Sequence, residues 1–421
     1  MKKFFTPLFI VLMSSSAHAQ QWDVIAEFNQ VIWGLESFDG KLFIAGGFTQ
    51  YEGSTSYWSA YYENGTVTPH TSLIGGTGLS KLEAFNGDLY CTSALDHGGS
   101  TGVSRWSGST WTGAASFNTN YTGIYADGND LYVGGYQGQI AKKTGTGIFT
   151  AMPYTDDSND HIYEITKYGS DIIIGGKFTS ANAVTLNNIG YWDGSAWQAL
   201  GTGTSSDVWA MAEYNGELYV GGKFTTAGGV AAKHIAKWNG TTWSDVGGSM
   251  TGTGFNGVRD MIVFDNKLYV CGDFDEMGGV AANDVAYWDG STWHAVGFST
   301  PSSFANAFTE YNNNLYVATF DFDTTYVYGM DIGSGGAGIT DINPDVAVTA
   351  YPNPVVDELL ITANQNIQSI VINDLNGQLI YQENVQAVQQ VKLDASSFPS
   401  AVYLLTITTD AGVSTIRIAK D

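Results

Sequence analysis

The stretch Trp209-Ala-Met-Ala-Glu-Tyr-Asn-Gly-Glu-Leu-Tyr-Val-Gly-Gly-Lys-Phe-Thr-Thr-Ala-Gly-Gly229, followed by His234-Ile-Ala-Lys-Trp-Asn-Gly-Thr-Thr-Trp243, decides the fold. It reads as four short strands. Asn215-Gly216 and Asn239-Gly240 are two-residue hairpin signals, because both central residues of that turn need positive φ. The pattern returns at Met261 to Phe274, Gly278-Gly279 and Val285 to Trp293. A four-stranded meander repeated at this length is the unit of a β-propeller.

Working outward, the anchor of the second strand recurs seven times: Leu42-Phe43, Leu89-Tyr90, Leu131-Tyr132, Ile172-Ile173, Leu218-Tyr219, Leu268-Tyr269 and Leu315-Tyr316. The seventh copy has no Trp-containing fourth strand. Gln21-Trp22-Asp23-Val24 matches the missing piece by its likeness to Thr242-Trp243-Ser244-Asp245-Val246. The N-terminal strand is therefore expected to close the ring and to cover the strand edges that an open array exposes. Residues 333–345 are Gly- and Ser-rich and read as a flexible linker. Residues 346–421 alternate apolar and polar positions, with a hairpin signal at Asn376-Gly377. The expected fold is all-β, a seven-bladed β-propeller at 20–332 followed by a small immunoglobulin-like β-sandwich at 346–421.

Composition narrows the function. The 421-residue chain has 52 Gly, only 8 Pro and 14% aromatic residues, a mix suited to short strands and tight turns. Its formal net charge of −24 repels phosphate backbones, so no nucleic-acid partner is expected. Lys2-Lys3, the apolar run Leu8 to Met13 and Ala17-His-Ala19 form a secretory signal at 1–19. That run is too short to span a bilayer, and no transmembrane segment follows. Cys91 and Cys271 lie in distant repeats and read as buried free thiols.

Tyr351-Pro352-Asn353-Pro354, Asp357, Leu359-Leu-Ile361, Ile372-Asn-Asp-Leu-Asn-Gly377, Tyr403 and Ile416-Arg-Ile-Ala-Lys420 closely resemble the sorting domain of the type IX secretion system. Ala401 departs from the family's usual Gly before Val-Tyr. The resemblance implies a partner, the type IX secretion machinery, and export through the periplasm to the outer surface or the medium. It also implies removal of the domain, with the cargo released or attached to surface lipopolysaccharide. The repeats, with Gly221-Gly-Lys-Phe-Thr225 and Ile235-Ala-Lys-Trp-Asn-Gly240, look like those of delta-60-type and kelch-like propellers. That likeness names a scaffold and no activity. The copper-ligand set of galactose oxidase has no counterpart here.

No catalytic residues, cofactor or metal site emerge. His70, His97, His161, His234 and His294 fall in separate repeats without ligand spacing. No nucleophile elbow supports Ser-His chemistry. Asp156, Asp157 and Asp160, then Asp273, Asp275 and Glu276, then Asp321 and Asp323, could offer oxygen ligands to Ca²⁺, but read first as turn acids. The paired tryptophans Trp106/Trp111, Trp192/Trp197, Trp238/Trp243 and Trp288/Trp293 recur at one register, which argues for packing.

One position behaves differently. Aligned on the anchors, it holds Trp33, Ser80, Thr122, Tyr163, Trp209, Arg259 and Asn306, at the start of each first strand. Trp33, Tyr163, Trp209, Arg259 and Asn306 are the candidate ligand-binding set, able to stack a sugar and hold an acidic group. Filling gaps between sheets is the competing role for the same side chains. The functional expectation is a secreted or surface-attached, non-enzymatic module that binds a glycan or a protein. The alternatives are an extracellular carbohydrate-active hydrolase or lyase, and a structural adhesin.

Overall fold

The computed structural model describes residues 21–70, 78–93, 101–117, 121–154, 159–248, 250–252, 257–298, 304–320, 324–331, 348–351, 355, 358–374, 379–399, 401–409 and 412–420. The expected leader at 1–19, the linker at 333–345, Pro352-Asn353-Pro354 and the hairpin at Asn376-Gly377 lie outside the described residues. So do His97, Asp156, Asp157, Asp321 and Asp323. Every element among the described residues is a β-strand. No helix there is long and apolar enough to cross a membrane. The chain divides into two compact units, one ending at Ile332 and the other beginning at Gly333.

Among the described residues of the first unit, seven antiparallel sheets share one plan. We number them I to VII by their first strands: Ile32–Phe38, Leu79–Phe85, Tyr121–Asp127, His161–Tyr168, Val208–Tyr214, Gly257–Phe264 and Phe304–Tyr311. In sheet V, Val208–Tyr214, Glu217–Gly222, Ile235–Trp238 and Trp243–Asp245 pair side by side in that order. Each first strand packs against those of the sheets before and after it, and that of sheet VII packs against that of sheet I. The cycle is closed, as in a propeller-like fold.

Local chemistry explains the plan. Asn215 and Gly216 adopt φ of 53° and 76°, as the two-residue turn requires. Asn239-Gly240 corrects the expectation. Trp238 pairs with Trp243, so the loop holds four residues. The Asn239 side chain accepts the backbone N–H groups of Thr241 and Thr242 at 3.0 and 2.9 Å, which stabilises this wider turn. The motif phenylalanines Phe48, Phe178, Phe224 and Phe274 are all buried core. In sheet V a small hairpin follows, Thr226–Ala227 with Val230–Ala231. Gly228 turns it at φ 58°, under the Trp243 ring, where a Cβ would collide.

The N-terminal strand Gln21–Phe28 pairs along its length with Thr325–Asp331 of sheet VII. Trp22 also completes a belt of side-chain bonds. Trp197 donates its indole N–H to the Pro153 carbonyl, Trp243 to Leu200 at 2.9 Å, Trp293 to Val246 at 2.7 Å, and Trp22 to Val296 at 3.0 Å. Each bond ties the outermost strand of one sheet to the chain leaving the sheet before. The paired tryptophans are thus packing elements, with ring centroids 5.3–5.4 Å apart. Cys91 and Cys271 are buried and unbridged.

The second unit is one five-stranded sheet system. Two of its strands are long and continuous: Glu358–Asp374 and Leu379–Asp394. Register shifts after Thr362 and Ile367 let the longer strand bend without ending. Leu359, Ile361, Ile370, Ile372, Leu405 and Ile407 fill its core.

The belt makes a quantitative prediction. Trp22→Phe loses one hydrogen bond and lowers the melting midpoint by about 2 °C, whereas Trp22→Ala also loses packing on Phe298 and lowers it by about 5 °C. Scanning calorimetry of both variants beside wild type checks the order and the size.

Candidate ligand-binding face

The variable position is a β-bulge. In sheet V, pairing jumps from Val208, opposite Gly222, to Ala210, opposite Gly221, leaving Trp209 as the extra residue. The same jump leaves out Trp33, Thr122, Tyr163, Arg259 and Asn306, and in sheet II it spans Ser80 and Lys81. A bulge turns its extra side chain away from the ladder. It also explains the paired glycines. A Cβ on Gly46, Gly176, Gly222 or Gly272 would collide with the carbonyl oxygen of Val31, His161, Asp207 or Gly257. The long loop after Gly222 leaves beside Trp209, so the bulges and these loops share one end of the sheets.

The structure brings some candidates together and separates others. The Arg259 guanidinium lies 4.3 Å from the Trp209 ring centroid and 4.9 Å from that of Phe304. Phe304 in turn stacks on Phe320, with centroids 4.9 Å apart. Arg259 Nε is buried and has no hydrogen-bond partner. Burial pulls the Arg259 pKa down, with Asp273 opposing. Tyr163 stands in a second aromatic group: its hydroxyl lies 2.9 Å from His161 Nδ1, and His161 packs 4.0 Å from Tyr136. Asn306 instead donates to the Ile32 carbonyl at 2.8 Å, and Thr122 donates to the equivalent Ile162 carbonyl at 2.6 Å. Those two side chains clasp the next sheet. Trp33 lies over Gly47 and Gly78, leaning toward sheet II. Phe304 and Tyr136 were not singled out by sequence reasoning, and His161 entered it only as one of the scattered histidines. Their signal is position, two residues before a bulge for His161 and Phe304.

Beyond the bulges, the first strands carry acids into the centre of the ring. Each first strand is an edge on that side, with N–H groups outside the ladder. Glu36 accepts the Ala84 N–H, Glu83 the Ala126 N–H at 2.9 Å, and Asp260 the Phe308 N–H at 2.7 Å. Lys81 of sheet II forms an ion pair with Glu164 of sheet IV, with Asp260 of sheet VI contributing to its field. Burial raises Glu36 to about 8, Glu83's charge adding to it, and raises Glu83 and Glu164 to about 7, with Lys81 opposing both.

The remaining histidines keep separate partners. His70 Nδ1 meets Ser59 Oγ at 2.6 Å, but Ser59 is 1% exposed and also accepts the Trp111 indole N–H. A nucleophile so enclosed cannot reach a substrate. His234 Nδ1 lies 3.2 Å from the Gly222 carbonyl oxygen, and His294 Nε2 lies 2.7 Å from Asp289. No group of three or more His, Cys, Asp or Glu among the described residues is arranged to hold a metal.

Glu36 sets a pH dependence. Its ordinary pKa of 4.5 rises to about 8 on folding, so between these values the folded chain holds a proton that the unfolded chain releases. Stability therefore falls as pH rises through that window. Glu36→Gln is expected to flatten the decline in melting midpoint between about pH 5 and pH 8.5, by several degrees at the upper end. Thermal melts of wild type and variant across that range provide the measurement.

No curated protein sequence matches the chain. Among solved structures, a computationally designed protein, Ika8, is similar at 12% identity and a TM-score of 0.43, covering 93% of this chain and 97% of that one. A catalytically inactive virginiamycin B lyase from Staphylococcus aureus, solved with quinupristin, is similar at 12% identity and a TM-score of 0.47, covering 74% and 100%. Neither likeness carries an argument at this level. Residues 349–421 match the family described as secretion system C-terminal sorting domain. The C-terminal unit is accordingly a type IX sorting domain, and the protein is exported by that machinery to the cell surface or the extracellular space.

Proposed function

We propose that the first unit is a seven-bladed β-propeller that acts outside the cell as a non-enzymatic binding module for a glycan or a protein. Trp33, Tyr163, Trp209, Arg259 and Asn306 are its ligand-binding residues. The sorting unit is an immunoglobulin-like β-sandwich. The phenol of Tyr403 donating to the Pro399 carbonyl at 2.6 Å, four residues upstream, supports that reading as a tyrosine corner.

One observation carries the binding role. Arg259 is held between Trp209 and Phe304 with Nε unbonded, at a bulge that turns away from the sheet. A desolvated guanidinium between two rings can pair with an acidic group while a neighbouring ring stacks on the ligand. The Asn306 amide is committed to Ile32, so its part in binding falls to Oδ1. Tyr163 and His161 offer a second stacking surface.

Trp209→Ala and Arg259→Ala are expected to reduce capture of the ligand on a combined glycan and protein array by about tenfold or more, with melting midpoints shifted by only a few degrees. If both variants melt far earlier yet bind as wild type once folded, the bulge residues are structural and this reading fails.

A further inference from the structure

We infer that the cleft between sheets I and II, at the opposite end of the inner strands from the bulges, binds a neutral pyranose sugar. The cleft has a volume of about 590 Å³ and lies within the first unit. Ligand pockets typically occupy about 300–1,000 Å³.

At the ends of the first strands a tyrosine bridges some neighbouring sheets and not others: sheets I, II and VI end in Phe38, Phe85 and Phe264, and sheet III in Asp127. The first strands of sheets IV, V and VII end in Tyr168, Tyr214 and Tyr311. Each phenol bridges to the turn of the next sheet, donating to the carbonyl of Gly216 at 3.1 Å, Asn266 at 3.0 Å and Gly40 at 2.8 Å. Sheet I ends in Phe38, which has no group to reach the matching Gly87 carbonyl. Phe38 and Gly87 both line the cleft.

Its walls are aromatic and held in place. Phe43 packs 5.5 Å from Trp106 and 5.8 Å from Tyr61, both rings lining the space. Behind them His70 stacks 4.5 Å from Trp106 and is fixed by Ser59. Burial lowers His70 to about 4, so it adds no charge at neutral pH.

The rim selects the ligand. Lys41 lies 4.0 Å from Asp39 and 3.7 Å from Glu63, and Arg105 bonds Asp88 at 3.2 Å. An anion would meet three carboxylates on a protein of net charge −24. A cation would meet Lys41 and Arg105, and Lys41 already lies over the Tyr61 ring at 5.5 Å. Each ion pair instead offers a donor beside an acceptor, which suits a hydroxyl that accepts from the cation and donates to the carboxylate. A molecule with an apolar face for the rings and adjacent hydroxyls for the two pairs is a sugar.

The test titrates the full-length protein, by calorimetry, with neutral cello-, malto-, manno- and xylo-trisaccharides and with matching oligouronides. At least one neutral trisaccharide is expected to bind. Phe38→Tyr, which closes the cleft toward Gly87, and Arg105→Ala should each raise its Kd by about tenfold or more without lowering the melting midpoint. Trp209→Ala should leave that Kd unchanged, so this site stands or falls separately from the bulge face. The inference is overturned if no neutral trisaccharide binds, if the uronides bind more tightly, or if binding survives both Phe38→Tyr and Arg105→Ala.

Discussion

The pairing of Gln21–Phe28 with Thr325–Asp331 is the constraint on which the first unit depends. Every other sheet takes its strands from one continuous stretch of chain, whereas sheet VII takes its outer strand from the far end. Without that strand, Thr325–Asp331 would present a row of unpaired N–H and C=O groups to solvent. Bringing together segments some 300 residues apart costs little more than closing a shorter loop, since each doubling of loop length adds about 0.6 kcal/mol. The ladder and the Trp22 bond to Val296 outweigh that cost and fix the register of the belt.

The centre of the ring poses the same problem on the other side of each sheet. There the inner strands have no further strand to pair with. Buried carboxylates from Glu36, Glu83 and Asp260 take up the exposed N–H groups of the next sheet instead. This solution places acids where burial keeps them protonated well above their ordinary range. The bulges free side chains of the first strands from the ladder. Some of these side chains clasp the next sheet, as Asn306 and Thr122 do. Arg259 and Trp209 assemble into a stacked group. Clasping the next sheet and stacking on a neighbouring ring thus share one register, which is why variety at that position does not separate them.

Much of the fold was legible because turn chemistry and strand anchors are local signals. Asn215-Gly216 announces its turn, the Leu-Tyr anchors mark the buried second strands, and Trp22 betrays its place by likeness to Trp243 and Trp293. Asn239-Gly240 misled because a two-residue turn and a four-residue loop capped by an Asn side chain use the same letters. The long strands of the C-terminal unit were not legible, because the polar run from Asn364 to Asn366 interrupts the apolar alternation within one strand, where the pairing register shifts. The bulges were hidden, although the glycine opposite each in four sheets is their trace. The inner carboxylate bonds and the cleft at Phe38 depend on contacts between sheets distant in sequence, which no local pattern reports.

Amide hydrogen exchange along the N-terminal strand tests ring closure most directly. The amides of Gln21–Phe28 that enter the ladder should be protected to the same degree as their partners in Thr325–Asp331, opening only with the whole first unit. Exchange of Gln21–Phe28 at the rate of an unstructured peptide, with the first strands still protected, would contradict the account.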